Sequence, residues 1–147
     1  VDFLSMQAQG NELASNGEFS KALTAFDSAL RLIDQKNKNG QAILHELRAQ
    51  VLMAIDEDFR AILASKEAVS LRPEWSEGWL TLGRAQLNLG EPSLALESLS
   101  TASKLDPNNS EIQEELARTI GIEETLRLGN VDTRAAAAAA RSNEAKA

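Results

Sequence analysis

The sequence predicts an all-α fold, three packed helix pairs closed by one further helix, and three observations predict it. The composition favours helices over strands, with abundant Ala, Leu, Glu and Ser, no Tyr and only three Pro in 147 residues. The stretch PEWSEGWLTLGRAQLNLGEPSLALESLSTASKLDPNN, from Pro73 to Asn109, reads as two short helices around a tight break. Neither helix carries an apolar stripe it could bury alone. Its small residues and its proline also recur upstream at a fixed step, the mark of a stacked array.

That step orders the chain. One and the same interval carries Pro107 back to Pro73, Ala102 to Ala68, Ala95 to Ala61, Gly83 to Ala49 and Trp79 to His45. The next step back is five longer, taking Ala68 to Ala29, Ala61 to Ala22 and Ala49 to Gly10. The first unit, about residues 3–36, then has helices near Asp2–Asn16 and Glu18–Asp34, hinged at Asn16-Gly17. The extra residues are expected in the polar, helix-breaking run Gln35–Gly40. The second unit, about 42–75, turns at Asp56-Glu57-Asp58.

In the third unit, about 76–109, a helix from Ser76 to Leu89 stops at Gly90-Glu91, and Pro92 suits the first turn of its partner. That partner puts Leu94, Ala95, Leu99, Ala102 and Leu105 on one face and ends at Asp106–Asn109. Ser110 and Gln113 then have the spacing of a capping box. Ile112, Leu116 and Ile120 follow as an apolar stripe, with Glu114, Glu115 and Arg118 facing water. This helix, about 110–128, is expected to cover the open end of the array and to stop at Gly129-Asn130. One domain of residues 1–129 results. For the Ala-rich tail, 130–147, two readings stay open: a peripheral helix from near Asp132 or Thr133, or a disordered segment.

Trp79, Leu82, Gly83, Gly90, Ala95, Ala102 and Pro107 match the tetratricopeptide repeat in order and spacing, so the chain resembles that family. The resemblance implies a right-handed α-solenoid in which the first helix of each pair lines a concave groove. A closer resemblance, to a small three-repeat member, covers about Phe3 to Leu105 and is strongest from Leu47 to Glu91. It rests on the runs LRAQVLMAIDEDF and WSEGWLTLGRAQLNLGE and implies an adaptor-like protein.

Little in the sequence points to chemistry. A net charge of −7 and a pI near 4.8 argue against nucleic acid or an anionic membrane as the main partner. No apolar run approaches transmembrane length and no signal peptide is visible. A soluble intracellular setting, cytoplasmic or nuclear, is therefore expected. Because the chain begins at Val1 rather than at Met, it is expected to be part of a longer protein. With no Cys and one His, thiol chemistry and Cys/His metal sites are excluded. His45 stands where the repeat has a bulky aromatic and reads as a packed structural imidazole. Asp56-Glu57-Asp58 lacks the spacing of a calcium loop and reads as charge complementing the start of the next helix. No phosphate loop or nucleophile motif is present. Trp75 and Trp79 read as packing anchors, Trp75 the more exposed. No enzyme, cofactor or metal is expected.

The groove is then the functional candidate. Residues left over from packing on the first helices are Gln7, Ala8 and Asn11, then Glu46, Leu47, Gln50 and Met53, then Leu80, Thr81, Arg84 and Asn88. Leu47, Met53 and Leu80 would be exposed apolar anchors for a partner segment. One subclass of the family clamps the C-terminal carboxylate of heat-shock chaperones with two Lys, two Asn and an Arg. Those places hold Gln7, Asn11, Leu47, Glu77 and Thr81, so only Asn11 matches and chaperone tails are disfavoured. The expected function is a non-catalytic adaptor that grips a protein or peptide segment, or docks as a subunit of a larger assembly. The alternative is a co-chaperone, or the targeting module of an enzyme whose catalytic part lies elsewhere.

Overall fold

Three residues in the left-handed backbone region set the three hairpins: Gly17 (φ 78°), Asp56 (φ 61°) and Gly90 (φ 87°). They are separated by the same two steps as the buried alanines. At each, the left-handed residue donates back across three residues and the next residue donates across five. Gly17 N–H reaches Ala14 O and Glu18 N–H reaches Leu13 O; the Asp56 and Gly90 turns repeat both bonds. This closes a helix without leaving its last carbonyls bare. Glycine adopts the conformation at no steric cost, and Asp is among the few other residues that tolerate it.

The computed structural model describes residues 2–146, and the side chains of residues 2–129 and 138–140. Seven helices run in order among the described residues: α1 (Phe3–Ser15), α2 (Phe19–Leu32), α3 (Lys38–Ala54), α4 (Asp58–Leu71), α5 (Ser76–Asn88), α6 (Pro92–Leu105) and α7 (Ser110–Lys146). α1 packs on α2, α3 on α4 and α5 on α6, and each pair stacks on the next. The result is a right-handed α-solenoid of three helix pairs, with α7 packed on α6. Ala22, Ala29, Ala61, Ala68, Ala95 and Ala102 are all fully buried, where the helices of each pair cross. At Gly83 a Cβ would lie 2.7 Å from Leu99 Cγ, so only hydrogen fits.

The loops between pairs share a second device. Trp79 Nε1 donates to Pro73 O at 2.8 Å, and Gln113 Nε2 donates to Pro107 O at 3.1 Å, one repeat further on. In the first loop, Gln41 Nε2 donates to Asp34 O at 3.1 Å, and Asp34 stands to Pro73 as Ala29 stands to Ala68. A side chain of each incoming helix thus satisfies a loop carbonyl at one register position.

Several expectations need correction. The run Gln35–Gly40 is only half a break. Asn37 caps α3 by accepting from Gly40 N–H at 2.9 Å, and Lys38, Asn39 and Gly40 are helical. Most of the extra residues therefore lengthen α3, which has 17 residues where α1 and α5 have 13. The cap of α7 is Asn109, whose Oδ1 accepts from Ile112 N–H, while Gln113 turns away to Ser103 and Pro107. On α7 the buried stripe is Ile112, half-buried Leu116 and Thr119; Ile120 is 42% exposed. Seven residues return a helix to within about 20° of its starting face, whereas eight overshoot by about 80°. Glu115 does not face water: it is half-buried and ion-paired. Leu94 and Leu105 are exposed rather than facing the core. Trp75 is half-buried like Trp79, with the Arg72 guanidinium 5.0 Å above its ring. Finally, α7 does not stop at Gly129-Asn130 but continues to Lys146, a rod of roughly 55 Å. Gly129 is not in the left-handed conformation that terminates a helix, and a right-handed helical Gly costs only about 1 kcal/mol relative to Ala.

Ser65 marks a weak point. It sits at the register position held by Phe26 in the first pair and Leu99 in the third, fully buried, and its hydroxyl has no hydrogen-bond partner. Ser65→Ala should raise stability by about 1 kcal/mol, removing an unsatisfied donor and improving helix propensity. Thermal unfolding should shift up by roughly 2–4 °C. An unchanged or lower midpoint would mean the hydroxyl is satisfied.

Candidate functional site

Two adjoining cavities occupy the concave side, meeting at Gln50. The first, about 490 Å³, lies between α3 and α5 and is closed at one end by the start of α7. Glu46, Gln50 and Met53 come from α3, Glu77, Leu80, Thr81 and Arg84 from α5, and Asn109 and Glu111 from the α7 entry. The second, about 530 Å³, lies between α1 and α3 and is lined mostly by apolar residues. Ala14, Phe19, Phe26, Leu47, Val51 and Ala54 line it, with Asn11 and Ser15 at its polar edge.

Of the residues expected in the groove, Glu46, Gln50, Met53, Leu80, Thr81 and Arg84 are brought together in the first cavity, and Asn11, Leu47 and Gln50 in the second. Gln7 is half-buried on α1 and Asn88 is exposed at the end of α5; both stand outside the two cavities. Three expectations about their state are overturned. Leu80 is only 4% exposed and packs with Leu99, Ala102 and Ile112, so it is the cavity floor and not a free anchor. Glu46 and Thr81 are buried, because α3 and α5 face each other across a narrow cleft and their polar groups pair there. Thr81 Oγ1 donates to Glu46 Oε1 at 2.7 Å, and Gln50 Nε2 donates to the same oxygen.

Arg84 is the third. Rather than being available to a partner, its Nη2 lies 2.6 Å from Glu111 Oε1 and its Nε 3.2 Å from Glu115 Oε1, both on α7. Burial would lower the guanidinium pKa, and the two carboxylates more than offset this and raise it. Arg118 pairs with the other oxygen of Glu115. Sequence reasoning misses Asn109 and Glu111 because neither lies on the first helix of a pair: Asn109 ends the third unit and Glu111 opens α7. It also misses Phe19, Val51 and Ala54. For two of those a signal exists, since Val51 and Ala54 lie one and two turns from Leu47 on the same helix.

Burial raises the pKa of the Glu46 carboxyl, although the Gln50 and Thr81 hydrogen bonds favour its ionised form. A folded-state pKa above the unfolded value means that Glu46's contribution to stability is fully present below pH 4.5 and is lost as pH rises through the folded pKa. Glu46→Gln keeps an acceptor but cannot ionise. Its melting temperature relative to the parent should therefore rise from about pH 4 to about pH 8. A flat or falling difference would show that the carboxylate is comfortably solvated.

His45 is half-buried between α3 and α4. Burial lowers its pKa, as does the charge of Arg48, while Glu67 and Asp27 oppose them. Its Nδ1 is buried without a partner, and nothing among the described residues completes an acid–base pair with it.

No protein-family model matches the chain. Tetratricopeptide repeat protein 33 of Xenopus laevis is 40% identical over 110 residues, covering 75% of this chain and 41% of that protein. The Hsp70-Hsp90 organizing protein of Triticum aestivum is 30% identical over 111 residues, 76% of this chain and 18% of that one. The chain thus spans less than half the length of these curated relatives. Among solved structures, the first TPR of Spaghetti (RPAP3) bound to an HSP90 peptide superposes with a TM-score of 0.76 at 20% identity, over 84% of this chain and 94% of that one. Among the described residues no helix is long and apolar enough to cross a membrane. On the repeated helix pairs, their shared turns and these similarities, the chain has the tetratricopeptide repeat fold and resembles proteins of that family.

Proposed function

We propose that this chain is a non-catalytic interaction module that holds a segment of a partner protein in its concave groove, as an adaptor or a subunit of a larger assembly. The binding unit is residues 1–129, comprising the three repeats and the first part of α7. The observation that carries this reading is the pair of adjoining cavities on the concave face, one lined mostly by uncharged apolar residues and one by charged and polar residues. Concave sites with apolar walls and a few placed polar groups are the usual form of a binding site. Gln7, Asn11, Leu47, Glu77 and Thr81 stand where a carboxylate clamp would place its donors, and Arg84 is engaged by α7. A free C-terminal carboxylate would find no cation to offset its desolvation there.

A second reading, a co-chaperone, is favoured by the 30% identity to the Hsp70-Hsp90 organizing protein. Fluorescence anisotropy with a labelled peptide ending Glu-Glu-Val-Asp, beside its C-terminally amidated form, separates the two. The adaptor reading expects binding no tighter than about 1 mM, or ~−4 kcal/mol, with little effect of amidation. Micromolar binding abolished by amidation would replace it with the co-chaperone reading.

A further inference from the structure

The two halves of the groove differ in charge as well as in the residue types that line them. Three carboxylates, Glu46, Glu77 and Glu111, line the α3–α5 cavity, and the cation lining it, Arg84, is already bound by Glu111 and Glu115. The α1–α3 cavity has no charged residue among those described in its lining; Phe19, Leu47 and Val51 shape it. Gln50 borders both, so one extended segment passes from one to the other without leaving the surface.

We propose that the segment the groove takes is cationic: an extended stretch of a partner protein with a Lys or Arg a few residues from a large apolar side chain. The apolar side chain occupies the α1–α3 cavity, and the cation lies against Glu77 and Glu111 with Glu46 beneath. This rests on the groove reading above and names its partner's chemistry.

Charge complementarity supports the choice. An acidic segment would bring its carboxylates against Glu77 and Glu111 with no free guanidinium to receive them, and such like-charge juxtaposition excludes a partner as effectively as a clash. A neutral apolar segment would fill the α1–α3 cavity but desolvate Glu77, which, unlike Glu111 and Glu46, has no ion pair or hydrogen bond to a neighbouring side chain among the described residues. A Lys or Arg side chain supplies both a charged head for the carboxylates and an aliphatic stem for Met53 and Leu80. The net charge of −7 adds a long-range field that steers a basic partner and repels an acidic one. A bound metal is a poorer occupant: among the described residues no three carboxylate or His groups converge as a metal site requires.

The test pans a phage-displayed library of random twelve-residue peptides on the whole chain. Enriched peptides are then synthesised and measured by anisotropy against the parent, Glu77→Lys, Leu47→Asp and Ala54→Arg. Glu77 and Ala54 are exposed, so their variants report on binding even where Leu47→Asp loosens the fold. Peptides should be enriched in Lys or Arg near Leu, Ile, Met or Phe. Glu77→Lys should weaken them at least tenfold, Ala54→Arg should weaken them similarly, and affinity should fall as salt rises. Groove binders lost in Ala54→Arg but free of cations, or indifferent to Glu77→Lys, would overturn the cationic segment while leaving the groove reading intact. Binders indifferent to every variant, or no enrichment at all, would overturn both.

Discussion

Removal of residues 110–147 is expected to cost roughly 3–6 kcal/mol of stability and to leave an aggregation-prone chain. Ile112 is fully buried and Leu116 half-buried against α6 and α5. Burial of an aliphatic side chain of that size contributes about 1.5–3 kcal/mol. Their loss also opens Leu80, Leu99 and Ala102 to water and strands Arg84 without its two carboxylates. Domains have a margin of about 5–15 kcal/mol, so a large share of it would go. Removal of residues 130–147 alone should shift the melting midpoint by less than about 2 °C. By Ile122, Leu126 and Leu128 the helix already presents its apolar side chains to solvent, so it has left the solenoid before Gly129. Circular dichroism melts and light scattering of the two truncations settle the matter. If they behave alike, α7 does not cap the array.

The repeat step makes the fold legible. A left-handed residue is needed after the first helix of each pair, and few residue types accept it, so Gly17, Asp56 and Gly90 announce their turns. Buried alanines at crossings are equally constrained by volume, and all six fall where the step places them. The end of α7 is not legible, because a Gly-Asn pair stops a helix only when the chain takes up the left-handed turn. Nothing local decides that.

The groove is legible as a set of positions and not as a set of states. A helix in the middle of a solenoid is flanked on nearly every side. On α5, Gly78, Leu80, Thr81, Leu82, Gly83, Ala85 and Gln86 are all buried, so periodicity cannot separate packing from presentation. That is why Leu80 reads from the sequence as an exposed anchor. Its burial also makes Leu80→Asp useless as a probe of binding, since it would unfold the third pair. Arg84 fails for the complementary reason. Its role is decided by Glu111 and Glu115, long-range partners whose meeting depends on the angle at which α7 crosses.

The largest point effect is expected at Phe26, and Phe59 supplies its control. Phe26 is 1% exposed in the buried cluster of the first pair, against which Phe3, Met6, Leu13 and Phe19 among others pack. It lies over Gly10, where a Cβ would come within 2.5 Å of the ring's Cε1. The glycine and the ring are one packing unit: α1 gives up its side chain there so that α2 can insert the ring. Phe26→Ala should cost about 3–5 kcal/mol, combining lost transfer energy with a cavity that Gly10 cannot fill. Gly10→Leu in the parent should cost about 1–3 kcal/mol by overpacking. Combined, the two should cost less than their sum by at least about 1 kcal/mol, since the new leucine enters the space the ring vacates. Phe59 is 61% exposed at the start of α4, and Phe59→Ala should stay within about 0.5 kcal/mol of the parent. Urea unfolding of the parent and these variants reads all of it. Strict additivity of the Gly10 and Phe26 changes, or equal costs at Phe26 and Phe59, would show that the first pair is not held together by this insertion.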